Sequence, residues 1–76
     1  MNEAFVLLNV DYKHQNKIIE AAKKISIVKS VKTTYGMYDI LLVLESDNMQ
    51  EIKKAIDEDL HKIEGINNLT SLISIN

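Results

Sequence analysis

The segments Ile25-Ser26-Ile27-Val28-Lys29-Ser30-Val31 and Ile63-Glu64-Gly65-Ile66-Asn67-Asn68-Leu69 decide the fold of this chain. Each carries an aliphatic residue at its first, fourth and seventh positions, and the two triplets lie 38 residues apart. Helical periodicity precedes both. Before the second, Met49, Ile52, Ile56, Leu60 and Ile63 are spaced 3, 4, 4 and 3, an apolar stripe set against Lys53, Lys54, Asp57, Glu58, Asp59 and Lys62. Ser46, Asp47 and Asn48 signal the start of that helix, with Gln50 and Glu51 three residues beyond Asp47 and Asn48 as in a capping box, and Gly65 closes it. Before the first triplet, Ile18, Ala22 and Ile25, with Ile19 alongside, follow the polar segment Asp11-Tyr12-Lys13-His14. Each triplet therefore ends a helix and opens a strand. Such a repeated junction marks a duplicated split βαβ unit.

Working outward, strand patterns fall at Ala4 to Val10, Val28 to Tyr35, Tyr38 to Glu45 and Ile66 to Ile75, giving the order βαββαβ. Gly36 stands where a tight hairpin between the second and third strands needs a residue tolerant of positive φ. Right-handed crossovers put both helices on one face of a four-stranded antiparallel sheet of order 4-1-3-2. The expectation is an α+β, ferredoxin-like single domain over residues 1–76. A sheet covered on one face should alternate apolar and polar, yet both central strands are apolar on both faces: Phe5 and Leu7 oppose Val6 and Leu8, and Ile40, Leu42 and Leu44 oppose Leu41 and Val43. At about 25 cal/mol per Å², exposing half a dozen such side chains forgoes several kcal/mol, comparable with the whole stability of so small a domain. The pattern predicts a homodimer paired through the helix-free faces, a dimeric α/β barrel-like assembly.

Composition narrows the chemistry. The 76 residues hold no Cys, which excludes disulfides, thiolate zinc sites and a Cys nucleophile. Nine Lys against eleven Asp and Glu leave a net charge of −2, so counterion release offers little for binding nucleic acid. All nine basic residues are Lys, and bidentate guanidinium recognition of phosphate or guanine is absent. The longest uncharged apolar run, Ile40 to Leu44, is far too short to span a bilayer, and the N-terminus has no basic-then-apolar signal pattern. A cytoplasmic location is expected.

Thr33-Thr34-Tyr35-Gly36-Met37-Tyr38-Asp39 is the one local pattern suited to a site. A glycine-containing turn offers backbone N–H groups to an anion, and Asp39 at the mouth of an apolar strand offers a carboxylate to an ammonium, which together suit a zwitterion. The bland alternative is that Gly36 merely permits the turn and Asp39 accepts bonds from local amides in an Asx-type role. Spacing leaves both open. His14 and His61 have no HxH or HxxxH partner, so neither metal binding nor acid–base catalysis is expected of them. Asp57, Glu58 and Asp59 read as solvated helix surface, with Lys54 pairing Asp57 or Glu58. Met49 reads as core, while Met37, Tyr35 and Tyr38 suit contacts between chains.

Tyr35-Gly36-Met37-Tyr38-Asp39-Ile40, with the apolar first strand, the Ile25-x-x-Val28-x-x-Val31 junction, the Asp47 to Met49 helix start, Ile63-x-Gly65-Ile66 and the final strand around Thr70, resembles the effector-binding (RAM) domain of the Lrp/AsnC family of transcription regulators. The likeness covers essentially the whole chain. It implies an amino acid effector held in a cleft between dimers, near Gly36 and Asp39, with Thr34 and Tyr35 in the preceding hairpin positions and Thr70 and Ser71 contributing from the last strand. It also implies dimers that assemble into octamers or decamers, a shift of that assembly on effector binding, and neither cofactor nor catalysis. Regulators of this family carry an N-terminal helix-turn-helix, whereas this sequence opens at Met1-Asn2-Glu3 directly into the first strand. The expectation is a stand-alone form, or a piece of a longer regulator, with no direct grip on DNA. Two other functions fit the same fold: an adaptor that co-assembles with full-length Lrp/AsnC regulators, and a small dimeric α/β-barrel enzyme.

Overall fold

The computed structural model describes residues 1–74; Ile75, where the sequence pattern ends the last strand, lies outside the described residues. The strands are β1 (Asn2–Val10), β2 (Val28–Thr33), β3 (Ile40–Ser46) and β4 (Ile66–Ser74). They form one antiparallel sheet of order β2-β3-β1-β4, the expected 4-1-3-2 read from the other edge. A 3-10 turn over Tyr12–His14 leads into helix α1 (Gln15–Lys23), and the second helical segment starts as α2 (Met49–Lys54).

Alternation along β1 and β3 sorts the sheet into two faces. Ala4, Val6 and Leu8 of β1 and Ile40, Leu42 and Leu44 of β3 are fully buried against Ile18 and Ala22 of α1 and against Ile52, Ala55 and Leu60. Both helical segments therefore cover the same face, as the crossover rule requires. The alternate residues Phe5, Leu7, Leu41 and Val43 lie on the helix-free face and are only half-buried. Ile25, Val28, Val31, Ile63, Ile66 and Leu69, the two triplets, pack at the margin of the core.

The duplication extends to hydrogen bonds. Ile25 N donates to Ala22 O at 3.1 Å, and Ile63 N to Leu60 O at 3.2 Å. Glu45 N reaches Ile27 O at 3.0 Å, and Asp11 N reaches Gly65 O at 2.7 Å. Register shifts follow suit, because Lys29 in β2 and Asn67 in β4 are each the extra residue of a bulge against their central neighbour. Ile25 and Ile63, Ala22 and Leu60, Ile27 and Gly65, and Lys29 and Asn67 are each again 38 residues apart.

The hairpin is looser than its sequence suggests. β2 and β3 part after the Thr33–Ile40 pair, so Tyr35 and Tyr38, assigned above to strand ends, belong to a six-residue loop, Thr34 to Asp39. Thr34 N still bonds to Asp39 O across the base of the loop, while Asp39 N bonds to Leu8 O of β1.

Candidate functional site

The register that pairs Leu8 with Ile40 sets the end of β1 beside the start of β3, and so beside the loop. Three bonds fasten them: Asp39 N donates to Leu8 O at 2.8 Å, Val10 N to Asp39 Oδ2 at 2.9 Å, and Asn9 Nδ2 to Met37 O at 2.6 Å. Within the loop, Thr34 N donates to Asp39 O at 2.9 Å and Thr34 Oγ1 to Tyr38 O at 2.7 Å. Gly36 holds φ at +108°, in the region that favours glycine. Tyr35, Gly36 and Met37 project into solvent at the tip.

Asp39 does accept a backbone amide, but from Val10 across the sheet rather than from its own turn, so the Asx reading is corrected. Its Oδ1 takes no hydrogen bond from another described residue, nor do the amides of Tyr35 and Gly36 give one. The half-buried carboxylate opens on a cleft of about 320 Å³ lined by Tyr12, Gln15, Thr33, Thr34, Tyr35 and Asp39. That volume sits at the lower end of small-molecule sites, which run from about 300 to 1,000 Å³. A carboxylate with a spare oxygen beside unpaired backbone amides can hold an ammonium and an anion together. A larger hollow of about 450 Å³ lies between the end of α1 and the second helical segment, but Lys24, Lys54 and Lys62 share its wall with Glu51 and Asp59 and give it no single charge.

Of the six residues named from sequence, the structure brings Thr34, Tyr35, Gly36 and Asp39 together. Thr70 and Ser71 lie apart from them on β4, which β1 and β3 separate from β2. Thr70 stands opposite Leu7 on the helix-free face, whereas Ser71, opposite Val6, faces the other way. Tyr12 and Gln15 were not singled out from sequence. Strand register would have found them, because residues that follow β1 must neighbour residues that precede an antiparallel β3.

Both histidines have close protein neighbours. His14 Nε2 lies 3.2 Å from Glu64 Oε1, and its buried Nδ1 lies 3.5 Å from Asp11 Oδ2, while His61 Nδ1 is 2.8 Å from Ile56 O. Among the described residues no helix is long and apolar enough to cross a membrane.

Comparison with known proteins matches residues 3–76 to the Lrp/AsnC ligand binding domain. An uncharacterized HTH-type transcriptional regulator of Pyrococcus furiosus is 32% identical over 74 residues; the alignment takes in 93% of this chain, which spans about half (49%) of that relative's length. A hypothetical protein from Pyrococcus horikoshii superposes with a TM-score of 0.91 at 25% identity, over 100% of this chain and 92% of the other. A transcriptional regulator from Neisseria meningitidis, solved as a complex with L-Met, has the same fold over 99% of this chain and 50% of its own, with a TM-score of 0.85 at 17% identity. With the βαββαβ sheet, the duplicated junction and the hairpin motif all in place, the chain belongs to the Lrp/AsnC ligand-binding-domain family.

Proposed function

We propose that this domain senses an amino acid and couples its binding to assembly, as a module related to transcription regulators and acting in the cytoplasm without catalysis of its own. One observation carries the reading: Asp39 presents a free carboxylate oxygen to a cleft whose neighbouring loop amides, at Tyr35 and Gly36, are unpaired. The effector's ammonium binds Asp39 and its carboxylate binds the loop amides. Thr34 sets the loop's shape through its bond to Tyr38 O. The neisserial neighbour was solved with L-Met, which supports an amino acid as the ligand class.

The dimer forms first, helix-free face to helix-free face. Tyr35, Gly36 and Met37 stand in solvent beside the cleft, where a neighbouring dimer completes it, so ligand and higher assembly stabilise each other. A coupling of about 1–3 kcal/mol suffices to change the assembled population several-fold or more. Thr70 and Ser71 act from a neighbouring copy. Being adjacent in a strand they face opposite ways, so at most one of the two side chains enters a given cleft.

Titration calorimetry against the twenty amino acids tests this, with Asp39→Asn as the variant because the carboxamide oxygen keeps the bond from Val10 N while the charge is lost. At least one amino acid should bind, and Asp39→Asn should weaken it about tenfold or more, the scale of one charge-assisted hydrogen bond. Binding by none of them, or undiminished binding to the variant, would overturn the proposal.

A further inference from the structure

We infer that the effector's side chain is uncharged and carries a hydrogen-bonding group, and that Gln15 with Tyr12 selects it. This rests on the sensing reading and adds a ligand class to it.

The cleft has two unlike walls. The loop wall, Thr34, Tyr35 and Asp39, supplies the groups that fit the part common to all amino acids. The opposite wall comes from the turn into α1, where Tyr12 is exposed and Gln15, the first residue of α1, is half-buried. A zwitterion anchored at Asp39 and the loop amides therefore directs its variable side chain toward Tyr12 and Gln15.

Of the six lining residues Asp39 alone is charged. An acidic side chain in so small a space meets a like charge with no cation among the six lining residues of this chain to offset it. A cationic side chain competes with the α-ammonium for the single carboxylate and finds no second one. Of the ionisable groups on the same turn, Asp11 and His14 are drawn to each other and to Glu64 and Gly65, and Lys13 is exposed and does not line the cleft. What remains is a carboxamide, able to donate and accept, beside an aromatic ring. That pair suits a side chain with a carboxamide or hydroxyl group, or an aromatic one with a polar tip.

The test ranks the twenty amino acids by calorimetry on the whole chain, on Gln15→Lys and on Tyr12→Ala, with Asp39→Asn as reference. The wild-type chain should bind uncharged polar side chains and discriminate against aspartate and glutamate by about tenfold or more. Gln15→Lys, which keeps a good helix former at that position, should reverse this and improve aspartate or glutamate by a similar factor. Tyr12→Ala, at a position outside the core, should weaken the preferred ligand several-fold. A wild-type preference for charged side chains overturns the inference, as does an unchanged ranking in Gln15→Lys while binding still depends on Asp39; in both cases the sensing reading survives. Binding by no amino acid overturns both.

Discussion

Gly36 and Gly65 both hold positive φ, at +108° and +100°, yet they answer different demands. A Cβ on Gly36 would meet nothing within 4 Å, so its requirement is conformational alone. A Cβ on Gly65 would lie 2.5 Å from His14 Cβ and 2.9 Å from His14 Cγ. His14 cannot swing away easily, because it sits between Asp11 and Glu64, and Asp11 N is bonded to Gly65 O. Gly36→Ala should therefore cost about 1–2 kcal/mol, the backbone penalty alone. Gly65→Ala should cost about 3 kcal/mol or more, since a clash with an anchored neighbour is added to that penalty. Urea unfolding of Gly65→Ala, His14→Gly and the double variant separates the terms: the pair should show a favourable coupling of about 1 kcal/mol or more. Additive losses would mean that the contact carries no weight. From sequence Gly65 is legible as a helix stop, since a glycine after an apolar stripe says as much. The contact with His14 is not, because it joins two turns that only the paired β1 and β4 bring together.

The second helical segment shows what periodicity misses. Its stripe predicts a single helix to Ile63, but α2 passes after Lys54 into a π-helical stretch, Ala55–Asp59, and a 3-10 turn, Leu60–Lys62. The spacing gave no sign of it, because steps of three and four fall to either side of a full turn at 3.6 residues per turn and offset one another along the stripe, as in any amphipathic α-helix. The π-helical turn re-aims polar partners by five residues: Lys54 Nζ lies 3.6 Å from Asp59 Oδ1, not beside Asp57 or Glu58. The start of the segment was legible in residue type but not in detail. Asn48 Oδ1 accepts from Gln50 N at 2.9 Å, while buried Ser46 accepts from Asn48 N at 3.0 Å and donates to Glu51 Oε1 at 2.6 Å. Ser46 thus links the end of β3 to the first turn of α2. Ser46→Ala should lower stability by about 1–2 kcal/mol, near the cost of losing a cap. Thermal unfolding checks it, and a loss no greater than that of Asp47→Ala, at an exposed neighbour, would show the link to be idle.

At the scale of the whole molecule, the apolar excess of β1 and β3 defines both the core and what the core leaves over. Ala4, Val6, Leu8, Ile40, Leu42 and Leu44 are spent on the helices. Phe5, Leu7, Leu41 and Val43 are left half-buried on the helix-free face, with Leu72 58% exposed opposite Phe5. This division was legible because a two-residue period by itself assigns each side chain to one face of the sheet or the other. The cleft was legible only in part: the loop residues announce themselves by type, whereas Tyr12 and Gln15 enter it through strand register. Leu7 stands between Leu41 of β3 and Thr70 of β4, at the middle of the open face. In a two-fold dimer paired through that face, one substitution introduces two charges into one interface. Leu7→Lys should therefore weaken dimerisation by about 100-fold or more and leave a folded monomer at micromolar concentration, because Leu7 is not among the side chains packed on the helices. Lys17→Glu, on the outer surface of α1, should leave the dimer intact. Sedimentation velocity reads the mass and circular dichroism the fold. A wild-type chain that sediments as a monomer, or a Leu7→Lys variant that stays dimeric, would show that the half-buried apolar side chains of this face are not covered by a second copy. If the cleft is completed between dimers, the same variant should also lose amino acid binding although Leu7 does not line the cleft, tying the face of the sheet to the loop at its end.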